Sequence, residues 1–166
     1  LVAPARPTPV AAAASLGAPA DFLALTKPRI VALVLVTVAA GFVVGLPAAA
    51  RVGFGGNAGT APLLVQLWIL ANLLCGTALV AGGTNAMNQI AERDVDMLMN
   101  RTRLRPLPAG RLEPAAARWF AWSIAVLGVA QLALLVNVAT AALAALTLVS
   151  YVFAYTPLKR RSSIAT

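Results

Sequence analysis

Residues 62–96 read Pro62-LLVQLWILANLLCGTALVAGGT-Asn85-AM-Asn88-Gln89-IA-Glu92-R-Asp94-V-Asp96. From Pro62 to Ile90 the stretch is almost wholly apolar, and a membrane helix needs about 20 such residues. Continued as one helix to Asp96 it would measure about 50 Å, against a hydrocarbon core of ~30 Å. Its last turns must therefore protrude, tilt away or sit in a cavity. Carboxylates are costly beside hydrocarbon, so Glu92 and Asp96 at that edge are functional-site candidates. At about 100° per residue, Asn85, Asn88, Glu92 and Asp96 fall within roughly 80° of one another. Gln89 lies near the edge of that sector, and Asp94 points the opposite way. One face thus presents oxygen ligands in a row, as a hard divalent cation requires.

The rest of the chain has the same character. Hydrophobic residues make up 60% of the 166 and charged residues 11%, too few to cover a soluble domain. The net charge of +8 is not laid out for nucleic acid, because the basic residues flank the apolar runs, where headgroups and orientation rules act. With no histidine, a His-based metal site or triad is excluded. The single cysteine, Cys75, cannot form an internal disulfide, and its place inside an apolar run suggests burial and packing.

Four apolar runs are expected to span the membrane, at about 30–50, 62–90, 114–134 and 136–155, giving an all-α polytopic bundle. Residues 1–20, rich in Ala and Pro, read as a disordered tail, with a cleaved signal peptide as the alternative. The membrane domain then covers 21–166, opening on a short interfacial segment from Asp21 to Arg29, where Pro28 can begin a new helix. Runs three and four are separated only near Asn137. A single helix through both would overshoot a bilayer, so a tight hairpin is expected. Lys27 and Arg29 precede run one, and a Gly-rich loop with Arg51 follows it. Arg93, Arg101, Arg103, Arg105 and Arg111 follow run two, and Lys159, Arg160 and Arg161 follow run four. Positive charge therefore puts the termini and loop 91–113 in the cytoplasm.

Asn88, Glu92 and Asp96 are one turn apart, so the outer two are about 12 Å apart along a straight helix. One ion cannot meet all three. Two ions, a helix end at Glu92–Asp96, or ligands from another helix would resolve this. Mg²⁺ commonly takes one or two protein carboxylates and completes its shell with water and substrate phosphate. The plainer alternative is a solvated helix end with Glu92 and Asp96 paired to Arg93 and Arg101. Beyond it, Pro106 favours an extended Arg105, which would place Arg101, Arg103 and Arg105 on one side of the chain as a phosphate-binding comb. Positive-inside anchoring is the alternative for these arginines.

Four pieces in order resemble the UbiA-type intramembrane prenyltransferases. They are Leu25-Thr-Lys-Pro-Arg-Ile30, the Asn85–Asp96 motif, Asn100-Arg-Thr-Arg-Leu-Arg-Pro-Leu-Pro-Ala-Gly-Arg111 and Tyr155-Thr-Pro-Leu-Lys-Arg160. The resemblance runs from about Leu25 to the end and is strongest to the haem-modifying branch, the protohaem IX farnesyltransferases or haem O synthases. It implies a bundle of about nine helices, of which this chain would be the N-terminal part, inactive by itself. The family's Asn-Asp-x-x-Asp-x-x-x-Asp motif binds Mg²⁺ and prenyl diphosphate. Asn88 matches its Asn, Gln89 its first Asp, Glu92 its second and Asp96 its last. Gln89 and Glu92 depart from the general pattern, and Glu92-Arg-Asp-Val-Asp96 resembles the haem branch.

The resemblance therefore implies Asn88, Glu92 and Asp96 as catalytic and Mg²⁺-binding residues. Asn85, Arg101, Arg103, Arg105, Lys159 and Arg160 would contact diphosphate, with headgroup anchoring the alternative for the last two. The implied reaction ionises farnesyl diphosphate, and the haem B vinyl group attacks the allylic cation. Water then quenches the new cation to give haem O for haem–copper oxidases. The implied setting is a bacterial inner membrane, with haem A synthase or oxidase assembly proteins as partners. A UbiA-type enzyme acting on an aromatic quinone precursor is the nearest alternative, and a non-catalytic four-helix membrane protein the other. The small residues Gly76, Gly82 and Gly83 suit close helix packing or room for a prenyl tail.

Overall fold

The computed structural model describes residues 17–52 and 61–155, with side chains at 17–46 and 61–152. The described residues form helices and turns, without strands. Helix α1 spans Pro19–Thr26, α2 Pro28–Val52, α3 Leu63–Ala91, α4 Arg93–Leu98, α5 Pro114–Leu135 and α6 Val138–Val149. A π-helical segment, Ser150–Tyr155, continues α6. Three helices are long and apolar enough to cross a membrane, at Pro28–Leu46, Leu63–Ala91 and Pro114–Leu135, and Val138–Val152 is a shorter apolar helix. The expected membrane bundle is present, with its fourth run the short one. The expected tail yields at its end, where α1 already begins at Pro19.

Helices α3 and α5 form the centre. Asn72, Gly76, Val80, Gly83 and Met87 are buried on one stripe of α3, and Ala117, Ala121, Ala125, Gly128 and Leu132 on one stripe of α5. Both stripes repeat at helical spacing. Gly76 lies against Gly128 and Leu132, and Gly83 against Ala121 and Ala125, so the helices run antiparallel. A Cβ on Gly83 would stand 2.8 Å from the Ala125 Cβ, and one on Gly128 would stand 2.8 Å from the Gly76 carbonyl oxygen. Membrane helices gain little from apolar burial against lipid, so close backbone approach through small residues is what binds them. Between α3 and α5 the glycines therefore serve packing. At one end of the seam Gln131 donates to Asn72 at 3.4 Å.

Helix α2 is more peripheral. Val31 is buried, and Leu35, Val38, Phe42 and Gly45 continue its half-buried stripe, while Leu33, Val36, Val43 and Val44 face outward. Cys75 is also exposed, contrary to the burial expected of it. The break between runs three and four falls where expected. Val136 and Asn137 connect α5 to α6, and the Asn137 Oδ1 caps α6 by accepting from the Thr140 N–H at 2.7 Å. That side chain satisfies one of the donors left open at a helix start.

Candidate functional site

The long polar-ended helix does not run straight to Asp96. Helix α3 stops at Ala91, Glu92 adopts φ −91° and ψ 2°, and α4 restarts at Arg93. The Asp96 N–H still bonds the Glu92 carbonyl at 2.9 Å. Of the arrangements open to the acidic face, the chain takes the helix end at Glu92. Residues 99–112 then fold into successive turns, closed by bonds such as Arg103 N–H to Met99 O at 3.0 Å and Ala109 N–H to Arg105 O at 2.9 Å.

This corrects the extended arginine comb. Arg105 turns back, and its Nη1 meets the Asp96 Oδ2 at 2.7 Å. Thr102 fixes the same spot by donating its hydroxyl to the Asp96 carbonyl at 2.9 Å. The local preference imposed by Pro106 gives way to a charge-assisted pair with a buried carboxylate. The alternative pairing of Asp96 with Arg93 or Arg101 is likewise replaced, and the Arg93 Nε is buried without a partner among the described residues.

A cavity of about 1340 Å³ opens here, and Asn88, Glu92, Asp96, Arg101 and Arg105 all line it. Lys27, Thr102, Arg111 and Tyr151 share its wall. Two expected site residues are placed elsewhere. Arg103 is exposed and outside the lining, and Asn85 donates through Nδ2 to the Thr26 carbonyl at 3.1 Å. Asp94 is exposed, as its helical angle required. Lys159 and Arg160 lie outside the described residues.

The Asn88 side chain is buried, and its Nδ2 donates to the Glu92 Oε2 at 3.0 Å. Its Oδ1 is buried without a partner among the described residues. A buried acceptor left open beside the Glu92 carboxylate, in a cavity that Asp96 also lines, is suited to a cation or a donor on a ligand. Among the described residues no three acidic, His or Cys side chains gather into a cage. One amide oxygen and two carboxylates nevertheless fit Mg²⁺, which keeps most of its shell for water and phosphate.

Lys27, Arg111 and Tyr151 were not among the site residues expected from the sequence. Lys27 stands beside Pro28 in one of the motif pieces, which was a usable signal. Arg111 reaches the site region by pairing with Asp21 at 3.1 Å, across 90 residues. Tyr151 lies in the π-helical segment, which has no marker in the sequence.

Residues 52–166 match the UbiA prenyltransferase family. The chain belongs to that family. A relative from Myxococcus xanthus, named protoheme IX farnesyltransferase, is 46% identical over 145 residues, covering 87% of this chain and 44% of its own length. The relative of that name from Solibacter usitatus is 42% identical over 143 residues, covering 86% of this chain and 47% of its own length. One from Sorangium cellulosum is 47% identical over 115 residues, covering 69% of this chain and 41% of its own. The chain thus spans less than half the length of these relatives. No solved structure matches it. Family membership and the long apolar helices mark it as an integral membrane protein of the UbiA prenyltransferase family.

Proposed function

We propose that the protein containing this chain transfers a farnesyl group from farnesyl diphosphate to a vinyl group of haem B, giving haem O. The observation that carries the reading is the shared cavity, where Asn88, Glu92 and Asp96 face the same space as Arg101 and Arg105. The names of the relatives support farnesyl and protohaem as the two substrates. Arg101 and Arg105 bind and orient the diphosphate, since guanidinium donors match phosphate oxygens. Asn88, Glu92 and Asp96 would hold Mg²⁺, which when bound neutralises charge on the departing diphosphate. The apolar helices keep water from the reacting carbon until the acceptor has added.

The basic residues around α1 and the 99–112 turns support a cytoplasmic position for this end, in a bacterial inner membrane. Haem O would pass from there to haem A synthase or to oxidase assembly. The test is Asp96→Asn in the full-length protein, with haem O measured by chromatography and an aromatic acid offered as a competing acceptor. Loss of haem O with Mn²⁺ binding weakened in parallel is expected. Undiminished haem O removes Asp96 from the chemistry, and prenylation of the aromatic acid alone replaces haem as acceptor.

A further inference from the structure

The family pattern places an aspartate where this chain has Gln89, and the structure gives that glutamine a different task. Gln89 is buried at 2% exposure, and its Nε2 donates to the Leu25 carbonyl at 2.8 Å and the Ala24 carbonyl at 3.4 Å. One turn earlier on α3, Asn85 donates to the Thr26 carbonyl at 3.1 Å. These are last-turn carbonyls of α1, which a helix cannot satisfy internally. The Thr26 hydroxyl takes the Leu23 carbonyl at 2.8 Å, and the Lys27 N–H takes Ala24 at 3.3 Å. Every carbonyl from Leu23 to Thr26 is therefore engaged, two of them only by amides from α3. An aspartate or glutamate at 89 would offer acceptors to acceptors.

The consequence falls on the next residue. Lys27 has φ 52° and ψ 65°, the one non-glycine positive φ among the described residues. Its carbonyl then starts α2, accepting from Ile30 at 2.9 Å and Val31 at 3.2 Å. Left-handed geometry in a side-chain-bearing residue persists where its surroundings fix it. Here the α3 amides fix it on one side and α2 on the other, and Lys27 lines the cavity. Docking matters for charge as well. The negative end of α1 points at this region through Ala24, a cavity residue, and amide donors at its carbonyls lower the repulsion an anion would meet. The wall carries Lys27, Arg101, Arg105 and Arg111 against Glu92 and Asp96, an excess of positive charge that favours an anionic ligand.

We propose that Gln89, with Asn85, is a positioning residue that docks the end of α1 and so holds Lys27 as a diphosphate-binding side chain on the cavity wall. This rests on the prenyl-diphosphate reading of the same cavity. It assigns Gln89 no place among the metal ligands.

The test uses the full-length protein in detergent, titrated with inorganic pyrophosphate at fixed Mg²⁺, and separately with Mn²⁺ followed by electron paramagnetic resonance. Lys27→Met should weaken pyrophosphate binding by about tenfold or more, and Lys27→Arg should restore most of it. Gln89→Glu, nearly isosteric, should weaken pyrophosphate comparably and raise KM for farnesyl diphosphate more than it lowers kcat. The double variant should lose little beyond the larger single loss, because both act through one ammonium. Mn²⁺ affinity should not rise in Gln89→Glu. A rise in Mn²⁺ affinity, or independent losses in the double variant, overturns the proposal. Should Gln89→Glu fail to fold, Lys27→Met decides alone, and unchanged pyrophosphate affinity overturns it. Absence of pyrophosphate binding by the unsubstituted protein instead overturns the functional reading on which it rests. Pyrophosphate binding without haem O formation removes only the haem acceptor.

Discussion

Adding one methyl group at Gly83 tests whether the α3–α5 seam holds the site in place. A Cβ there would lie 2.8 Å from the Ala125 Cβ, 2.9 Å from the Ala121 carbonyl oxygen and 3.1 Å from the Ala125 Cα. Carbon atoms settle about 3.5–4.0 Å apart, so the helices must part by roughly half to one ångström. Backbone atoms cannot rotate out of the way, and overpacking of this kind costs about 1–3 kcal/mol. The better helix propensity of Ala returns part of that, up to about 1 kcal/mol. A net loss of about 1–2 kcal/mol is expected for Gly83→Ala. Gly82→Ala is the internal comparison. Its nearest neighbour is the Thr26 side chain at 3.2 Å, which needs to give only a few tenths of an ångström. That variant should stay within about 0.5 kcal/mol of the parent. Adding Ala125→Gly should recover little of the loss, because it relieves only the Cβ contact, leaves the Ala121 carbonyl in place and itself lowers helix propensity. The assay is reversible unfolding of the full-length protein in mixed micelles. Equal stability of Gly83→Ala and the parent, or greater damage from Gly82→Ala, would refute the seam as the source of rigidity.

Arg105 and Arg103 should separate cleanly. Arg105→Gln is expected to lower kcat/KM for farnesyl diphosphate by about tenfold or more, since it loses a charge-assisted contact and leaves Asp96 unpaired, whereas Arg103→Gln should stay within about twofold. Equal losses in steady-state haem O assays would contradict the cavity assignment. Asn137→Ala should destabilise the α5–α6 corner by about 1 kcal/mol, read as a lowered thermal midpoint, because it removes the cap on Thr140. Asp21→Asn should cost no more than about 1 kcal/mol, because Arg111 is half exposed in that pair, and the difference should shrink as salt is raised.

Much of the architecture follows from elementary rules. Apolar runs of bilayer length gave the helices, and Asn137 marked the corner because its side chain can accept from the backbone ahead of it. The acidic face, and Arg101 and Arg105 in the cavity, were readable from helical angle and charge type. What was not readable depends on contacts distant in sequence. Nothing local stops a helix at Glu92, which has neither Gly nor Pro beside it. Pro106 suggested an extended Arg105, and the buried Asp96 carboxylate overrode that preference. Asn85 pointed along the acidic face in projection, yet its amide is taken by the end of α1, a helix 59 residues away. Cys75 shows the weakness of inferring burial from apolar neighbours, since in a membrane the outward face is apolar too.

The connection of two residues between α5 and α6 has a bearing on biogenesis. It offers no polar tether long enough to rest among headgroups while one helix waits for the other. Helices α5 and α6 must therefore leave the insertion machinery together, as one hairpin unit. Asn137, turned onto its own helix start, covers one of the open amides that the corner would otherwise carry across lipid.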